Sequence, residues 1–448
     1  DFSTEVKLAY KDVDTAQAPA SKHIGDVEIR TPSGDISFGP DQYRHGNALT
    51  NETLSFRFLG EYLLDEHEIA FGLEYESIDV MNLFAPDSLG RWEFASIEDF
   101  AQREASSLSY ANAYTNDVAD AAATFKFSST TLFVEDSFYL TDEIYITAGL
   151  RYEVIGSSDA PTHNDNFQER YGFSNSTNLD GEGIFLPRLG FEWEAADDVT
   201  VRGGIGRFSG GRPNVWLSNA YSNDGVTYVS ASNESDFLSN ADITQVPAGV
   251  QNAMAAGDGN VNVTDPDFKL PSDWRTSVAV DYTFDIPGLG EDYFLTAEYI
   301  YVSKENDVFW EDLTRQVAGQ TAGGRNIYQP IDKLTGEPTQ RYDLMLTNAR
   351  EDGESKIFTT SLTKSFDNGL AFNMSYTNQD ITEGTPGTSS TATSNFQYPV
   401  TVDRGRAEIG TGRFETEHSF KLNLNYTANF IENYDTKFNL YFERRSGR

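Results

Sequence analysis

Apolar and polar residues alternate most regularly between Phe420 and Phe442. Apolar side chains occupy every second position of the first half: Phe420, Leu422, Leu424, Tyr426, Ala428 and Phe430. After the short break IENYD, the alternation resumes with Phe438, Leu440 and Phe442. A period of two places all apolar side chains on one face of a β-strand. Two such strands joined by a few polar residues predict a β-hairpin.

The same pattern recurs along the whole chain and predicts thirteen strands. They cover residues 1–10, 54–64, 69–80, 124–140, 144–155, 185–195, 199–208, 276–285, 294–303, 358–366, 370–377, 420–430 and 437–445. Strand 124–140 is irregular, because Leu132, Val134 and Phe138 share a face with Asp136. Its register stays open, and either a β-bulge or a departure from the apolar surface is expected there.

The connections between these strands alternate in length. Every second one has about two to seven residues, and those between have roughly 25 to 65, which is typical of outer-membrane barrels with short periplasmic turns and long outer loops. A soluble sandwich or propeller has no reason to sort its loops in this way. The prediction is therefore an all-β, antiparallel transmembrane β-barrel.

Composition agrees with this fold and excludes several functions. Asp and Glu number 70 against 33 Lys and Arg, giving a net charge of −37, which argues against a nucleic-acid surface. There are no cysteines, so disulfides and thiolate sites are excluded. The mean hydropathy of −0.48 is compatible with a barrel, because only alternate residues of each strand meet lipid.

Enzyme motifs are not found. The five histidines are scattered without metal-ligand spacing, and neither a GxSxG nor a Walker sequence occurs. We therefore predict a protein that is not an enzyme. A soluble, acidic, glycan-active β-protein is the enzyme alternative, and the loop sorting disfavours it.

The long loops contain the candidate binding residues. Trp216, Tyr221, Tyr228 and Trp310 offer rings on which a ligand could stack. The alternative is that these rings pack one loop against another.

One acidic loop segment is a candidate cation site. Its oxygen-bearing side chains are Asp258, Asn260, Asn262, Asp265 and Asp267, which could bind Ca²⁺. The spacing is not that of an EF-hand, and a solvated acidic loop is the alternative. More generally, the acid excess predicts a cation-attracting outer rim in which Ca²⁺ screens or bridges carboxylates.

Residues 185–221, FLPRLGFEWEAADDVTVRGGIGRFSGGRPNVWLSNAY, resemble a hairpin of TonB-dependent outer-membrane receptors, in particular the Oar-like branch. The matching features are Pro187-Arg188-Leu189-Gly190-Phe191, an acidic turn, and the glycine-rich run from Arg202 to Phe208. Further similarity lies at residues 38–41, 132–136, 147–152 and 442–448, so the resemblance spans most of the chain.

The resemblance implies a 22-stranded barrel around an N-terminal plug, located in the bacterial outer membrane among lipid and lipopolysaccharide. It also implies import of a scarce nutrient, driven by the TonB–ExbB–ExbD complex. Neither a plug-like segment nor a TonB box is found, and the sequence ends at Arg448 rather than at a terminal aromatic residue. Residues 1–448 are therefore expected to be a partial barrel domain, with the plug and final strands outside them. An adhesin or a passive porin-like barrel is the alternative function.

The alternation also predicts which side chains meet lipid. The expected lipid-facing residues are Leu150, Tyr282, Phe372, Met374, Leu422 and Leu424, and the expected lumen-facing ones are Arg151, Asn373, Asn423 and Asn425. Lys364 shares the lipid-facing side of its strand but lies two residues before a turn. Its ammonium group is therefore expected to reach the periplasmic headgroups.

Overall fold

A computed structural model describes residues 1–211, 214–231, 237–257, 259–406, 408–431 and 433–447. In chain order, the strands in these ranges are β1 (Phe2–Ala16), β2 (Asp26–Ile29), β3 (Ile36–Phe38), β4 (Asn47–Leu64), β5 (His67–Phe84), β6 (Arg91–Phe94), β7 (Ser107–Ala113), β8 (Ala123–Thr141), β9 (Ile144–Gly156), β10 (Gly183–Ala196), β11 (Val199–Ser209), β12 (Tyr228–Ala231), β13 (Asn262–Thr264), β14 (Ser272–Ile286), β15 (Gly290–Glu305), β16 (Val308–Asp312), β17 (Arg315–Gln320), β18 (Asn326–Pro330), β19 (Leu344–Asn348), β20 (Glu354–Ser365), β21 (Leu370–Glu383), β22 (Gly410–Thr411), β23 (His418–Ile431) and β24 (Tyr434–Arg445).

The helices in the described ranges are short and lie in the long connections between strands. They are α1 (Ile97–Gln102), α2 (Asp165–Tyr171), α3 (Asn214–Ser222), α4 (Ala248–Asn252) and α5 (Ala392–Gln397), with 3-10 turns at Gln42–Arg44 and Val118–Ala121. None of the helices in the described ranges has the length and hydrophobicity needed to cross a membrane.

Thirteen long strands form one antiparallel sheet, which we call the wall. Its order is β1-β4-β5-β8-β9-β10-β11-β14-β15-β20-β21-β23-β24, and the short β22 adds to β21. All thirteen strands predicted from the sequence are confirmed, and several extend further toward the long loops, as β1 does to Ala16. Sequence neighbours in the wall pair with each other, as expected for an up-and-down antiparallel sheet.

The register sorts side chains onto two faces as predicted. Leu424 lies opposite Phe372 and Leu422 opposite Met374, whereas the intervening Asn423 lies opposite Asn373. The apolar face remains open to the surroundings: Leu150, for example, is 48% exposed. In a membrane barrel, this is the lipid-facing side.

The irregular strand keeps its alternation through Asp136. Val134 lies opposite Leu150 and Asp136 opposite Ala148, so the carboxylate belongs to the lipid-facing side. The register shift falls between Tyr139 and Thr141, beside the short turn. A bulge is therefore present in this strand, but it does not turn Asp136 away from the apolar face.

Lys364 lies on the lipid-facing side, opposite Phe372. Its ammonium group donates to the backbone carbonyl of Glu291 at the start of β15 and lies 5.4 Å from the ring centre of Tyr293. The side chain is only 8% exposed. The neighbouring hairpin thus supplies both a carbonyl acceptor and an aromatic face beside the short turns, and contact with the periplasmic headgroups stays a prediction.

Glycines in the wall make room for aromatic side chains. A Cβ at Gly203 would lie 2.6 Å from the carbonyl oxygen of Ser277 and 2.9 Å from the ring of Phe191. The ring of Phe191 therefore covers a position where only glycine fits. The missing side chain at Gly203 thus allows the neighbouring ring to pack against the strand.

Gly203→Ala is expected to lower the free energy of unfolding by about 1–3 kcal/mol, because backbone and ring atoms must shift to admit the methyl group. Gly190→Ala is the matched control, since a Cβ there would meet nothing closer than 3.8 Å. Urea unfolding of both variants in lipid vesicles measures the difference. Equal midpoints for the two variants would contradict this packing role.

The long loops fold into an ordered layer beyond one edge of the wall, which we call the cap. Its described residues are 17–46, 85–122, 157–182, 210–211, 214–231, 237–257, 259–271, 306–353, 384–406 and 408–417. Three small sheets occur in its described part: β12-β7-β6-β2-β3, β13-β19-β16 and the ribbon β17-β18. Separate apolar clusters support them, one around Trp92 and Phe94 and another around Trp310 and Leu344.

Candidate functional site

The lumen side of the wall carries paired charges of both signs. Glu74 on β5 bridges Arg57 on β4 at 3.4 Å and Arg151 on β9 at 2.9 Å, so the bridges span four adjacent strands. Further along the sheet, an Arg188 nitrogen lies 2.6 Å from Glu135. Acceptors and donors thus line the inner surface, whereas the outer surface is mainly apolar and carries few charges, among them Asp136 and Lys364.

A lumen-side groove of about 620 Å³ begins at the Arg188–Glu135 pair and extends across the neighbouring strands β11, β14 and β15. Its floor includes Gly190, Gly204 and Gly206, and its sides include Arg188 and Glu298. The small residues leave the backbone accessible. This surface therefore suits a polar occupant of the lumen.

Two of the predicted binding residues are brought together in the cap. Trp216 and Trp310 meet edge to face, with ring centroids 4.9 Å apart and planes at 90°. Trp310 is only 2% exposed, and Trp216 donates from Nε1 to the carbonyl of Ser389 at 2.8 Å. This pair therefore joins the loop before β12 to the loops carrying β16 and α5.

Tyr221 and Tyr228 lie apart from that pair. Tyr221 stacks on Phe125, with centroids 4.3 Å apart, and donates to the carbonyl of Asp159 at 2.8 Å. Tyr228 donates to the carbonyl of Pro86 at 2.7 Å, and burial raises the pKa of its hydroxyl well above the ordinary value.

All four rings therefore make packing contacts between loops, which is the alternative that the sequence left open. Ligand stacking by these residues stays a prediction. Through these contacts, the rings attach the cap to the wall and attach the loops to one another.

The proposed calcium segment is only partly described, since Asp258 lies outside the described residues. The Oδ1 atom of Asn260 accepts from the backbone N–H of Tyr342 at 3.1 Å. Asp265 accepts from the backbone N–H of Asp267 at 2.9 Å and from the hydroxyl of Thr347. Within the described ranges, no group of three or more His, Asp or Glu residues is arranged to hold a metal ion. Calcium binding here stays a prediction.

A buried polar network, missed by the sequence reasoning, ties three loops together. Asp343 is 0% exposed and accepts from the hydroxyl of Tyr171 at 2.8 Å and from the N–H of Val261 at 3.0 Å. The Nε atom of Arg341 lies 3.6 Å from the same carboxylate. Burial raises the pKa of Tyr171, and the neighbouring carboxylate adds to that effect. No local sequence signal marks these partners, because they are distant along the chain.

His45 marks the junction between the wall and the five-stranded cap sheet. Its Nδ1 atom accepts from the N–H of Leu89 at 3.2 Å, and its Nε2 atom donates to the carbonyl of Pro40 at 3.1 Å. This arrangement requires the neutral imidazole. Burial lowers the pKa of His45, consistent with that state.

Asp87 lies near this junction, and burial raises its pKa from 3.8 to about 6. Its contribution to stability is therefore greatest below pH 3.8 and is lost as pH rises through about 6. Asp87→Asn should stabilise the cap by about 1–2 kcal/mol above pH 7 and have little effect near pH 4. The backbone φ of 63° is one that Asn tolerates.

Hydrogen exchange of the cap amides at the two pH values measures this effect. Asp35→Asn, at an exposed position, is the control. A pH-independent change in Asp87→Asn would show that burial of the carboxylate is not its cause.

An apolar outer face, a charged inner face, short turns at one edge and a folded cap at the other define the wall of a membrane barrel. The sequence model of the outer membrane beta barrel domain family matches residues 9–438, so the chain belongs to that family. Its location is the bacterial outer membrane.

Two solved structures share the fold. The outer membrane transporter YddB from Escherichia coli superposes with a TM-score of 0.51 at 13% identity, covering 95% of this chain and 46% of that one. The siderophore receptor PirA from Acinetobacter baumannii gives 0.50 at 12% identity, covering 97% and 47%. The chain thus spans less than half the length of either protein.

No curated protein sequence matches the chain significantly. The resemblance to outer-membrane receptors drawn from the sequence is confirmed. Membership of the Oar-like branch stays a prediction.

Proposed function

We propose that this chain is the wall and outer cap of a receptor that imports a scarce nutrient actively across the outer membrane. The observation that carries the proposal is the cap itself. Its loops bury their own apolar clusters and join one another through the network at Asp343. A folded layer beyond one edge of a polar-lined wall is better suited to selective uptake of a nutrient than to free diffusion of solutes.

The shared fold supports this function, since the two structures compared above are described as a transporter and a siderophore receptor. Energy coupling through TonB, ExbB and ExbD would act on a plug in the lumen. The paired charges at Glu74 and Arg188 offer such a plug a polar surface. An enzymatic role is not part of this proposal.

The test uses cells that carry the full-length gene, its deletion, or the gene together with a deletion of tonB. Uptake of labelled nutrients is measured, beginning with siderophores, the ligand class in the description of the Acinetobacter baumannii receptor. Uptake of one substrate should disappear in both deletions and on addition of a protonophore. The passive, porin-like alternative predicts uptake that persists without TonB and steady open conductance in planar bilayers. An adhesin would show neither uptake nor conductance.

A further inference from the structure

A second groove lies on the opposite, lipid-facing side of the wall. It has a volume of about 480 Å³, and its lining residues are Val134, Asp136, Ala148, Gly149, Leu150, Pro187, Arg188, Leu189, Ile205 and Trp274. The guanidinium group of Arg188 is paired with Glu135 on the lumen side of the wall. The groove follows the hydrogen-bonding direction across β8, β9, β10 and β11, since Asp136 pairs with Ala148, Ala148 with Leu189 and Leu189 with Ile205. The small side chain of Ala148, between larger neighbours, forms part of its floor.

Asp136 supplies a charged group at one end of this groove. One of its oxygens, Oδ2, lies 2.9 Å from Nδ1 of His67, while Oδ1 has no hydrogen-bond partner in the described structure. Oδ1 is itself buried, so the 32% exposure of the side chain does not come from that atom, and Oδ2 is the oxygen left for a group on the membrane side. It retains the capacity to accept further hydrogen bonds.

The position of His67 fixes the depth of this carboxylate. His67 is the first residue of β5, directly after the short turn at Asp65 and Glu66. Short turns of outer-membrane barrels lie on the periplasmic side. The acidic end of the groove is therefore at the level of the inner-leaflet headgroups.

An apolar groove alone does not select among lipids, because acyl chains are as apolar as the side chains that line it. Selection requires a polar group at headgroup level. A carboxylate attracts an ammonium group and repels an anionic headgroup. Lipid facing the wall is the one occupant that this side of a membrane protein always meets.

We propose that the groove binds one phospholipid with a primary ammonium headgroup, of the phosphatidylethanolamine class. An acyl chain lies over Ala148, and the ammonium group donates to Asp136. His67 holds the carboxylate in place by donating from Nδ1. This assignment concerns the outer surface of the wall and does not depend on what the receptor transports.

The test places the full-length protein in nanodiscs containing equal amounts of phosphatidylethanolamine and phosphatidylglycerol. Native mass spectrometry then identifies the lipid that stays bound after the protein is released from the nanodisc. The wild-type protein should retain phosphatidylethanolamine over phosphatidylglycerol by about fivefold, the ratio that an ion pair of this exposure supports.

Two variants separate the headgroup contact from the acyl-chain contact. Asp136→Asn should retain a lipid but lose the preference, and Ala148→Leu should lose the retained lipid by filling the groove. Ala297→Leu is the matched control, because Ala297 is also on the lipid-facing side, opposite Thr360, but lies outside the groove. Its lipid retention should equal that of the wild type.

Three results would overturn the proposal. They are equal retention of the two phospholipids by the wild type, a preference that survives in Asp136→Asn, and retention of lipopolysaccharide in place of a phospholipid. Heat-modifiable gel migration of each variant confirms that it has folded before lipids are compared.

Discussion

Replacing Trp310 with alanine is expected to destabilise the cap by about 3–5 kcal/mol, the usual cost of truncating a buried Trp or Phe. Trp310 is 2% exposed and packs in one cluster with Leu344, Leu346 and Phe396. Its removal leaves a cavity shared by β16, β19 and α5. Hydrogen exchange should therefore accelerate in all three elements together.

The wall provides the internal reference in that experiment, because its strands hold one another through their own ladders. Val317→Ala is the matched cap control, since Val317 is 56% exposed. Unchanged exchange at Leu344 and Leu346 in Trp310→Ala would show that the cluster does not hold the cap. Faster exchange confined to the wall would contradict the division into wall and cap.

Leu424→Arg should lower the stability of the membrane-inserted wall by about 2–4 kcal/mol, because it places a charge on the lipid-facing side of β23. The register puts Leu424 between Phe372 and Leu440, far from either end of the strand. The guanidinium group therefore has to reach past apolar neighbours to find water. Urea unfolding in lipid vesicles measures the loss.

Asn423→Arg is the control for that substitution, since the adjacent residue faces the lumen opposite Asn373. Its effect should stay within about 1 kcal/mol, because the arginine remains on the polar side. Cysteines at the two positions offer an independent check. A water-soluble maleimide that labelled residue 424 and not 423 would reverse the assignment of faces.

The wall was predictable because the alternation that marks each strand lies within the sequence of that strand. The alternation in Phe420–Phe430 is local, and a one-residue slip would move every apolar side chain to the lumen. Asp136 shows the limit of that reasoning. Alternation placed it among apolar residues, but only the pairing with β9 shows that no bulge intervenes before Tyr139.

The cap was not predictable, because its folded structure depends on contacts between residues that are distant in sequence. Asp343 and Tyr171 bond across 172 positions, and neither residue carries a local signal of that contact. Lys364 illustrates the same difficulty on a smaller scale. The sequence places Lys364 near a turn, but the carbonyl that accepts its hydrogen bond, that of Glu291, belongs to the neighbouring β14–β15 hairpin.

The strand β13 pairs in parallel with β19, from Asn262 with Leu344 to Thr264 with Leu346. The chain between these two segments includes the β14–β15 hairpin of the wall. The ladder between β13 and β19 therefore closes a loop of about 80 residues. Ladders between distant segments form slowly, because chain entropy is lost before the contacts are gained. We therefore expect a fixed order of assembly, in which the β14–β15 hairpin inserts first and the outer layer matures last. A newly inserted molecule would then have a complete wall but a protease-sensitive outer layer until the β13–β19 ladder forms.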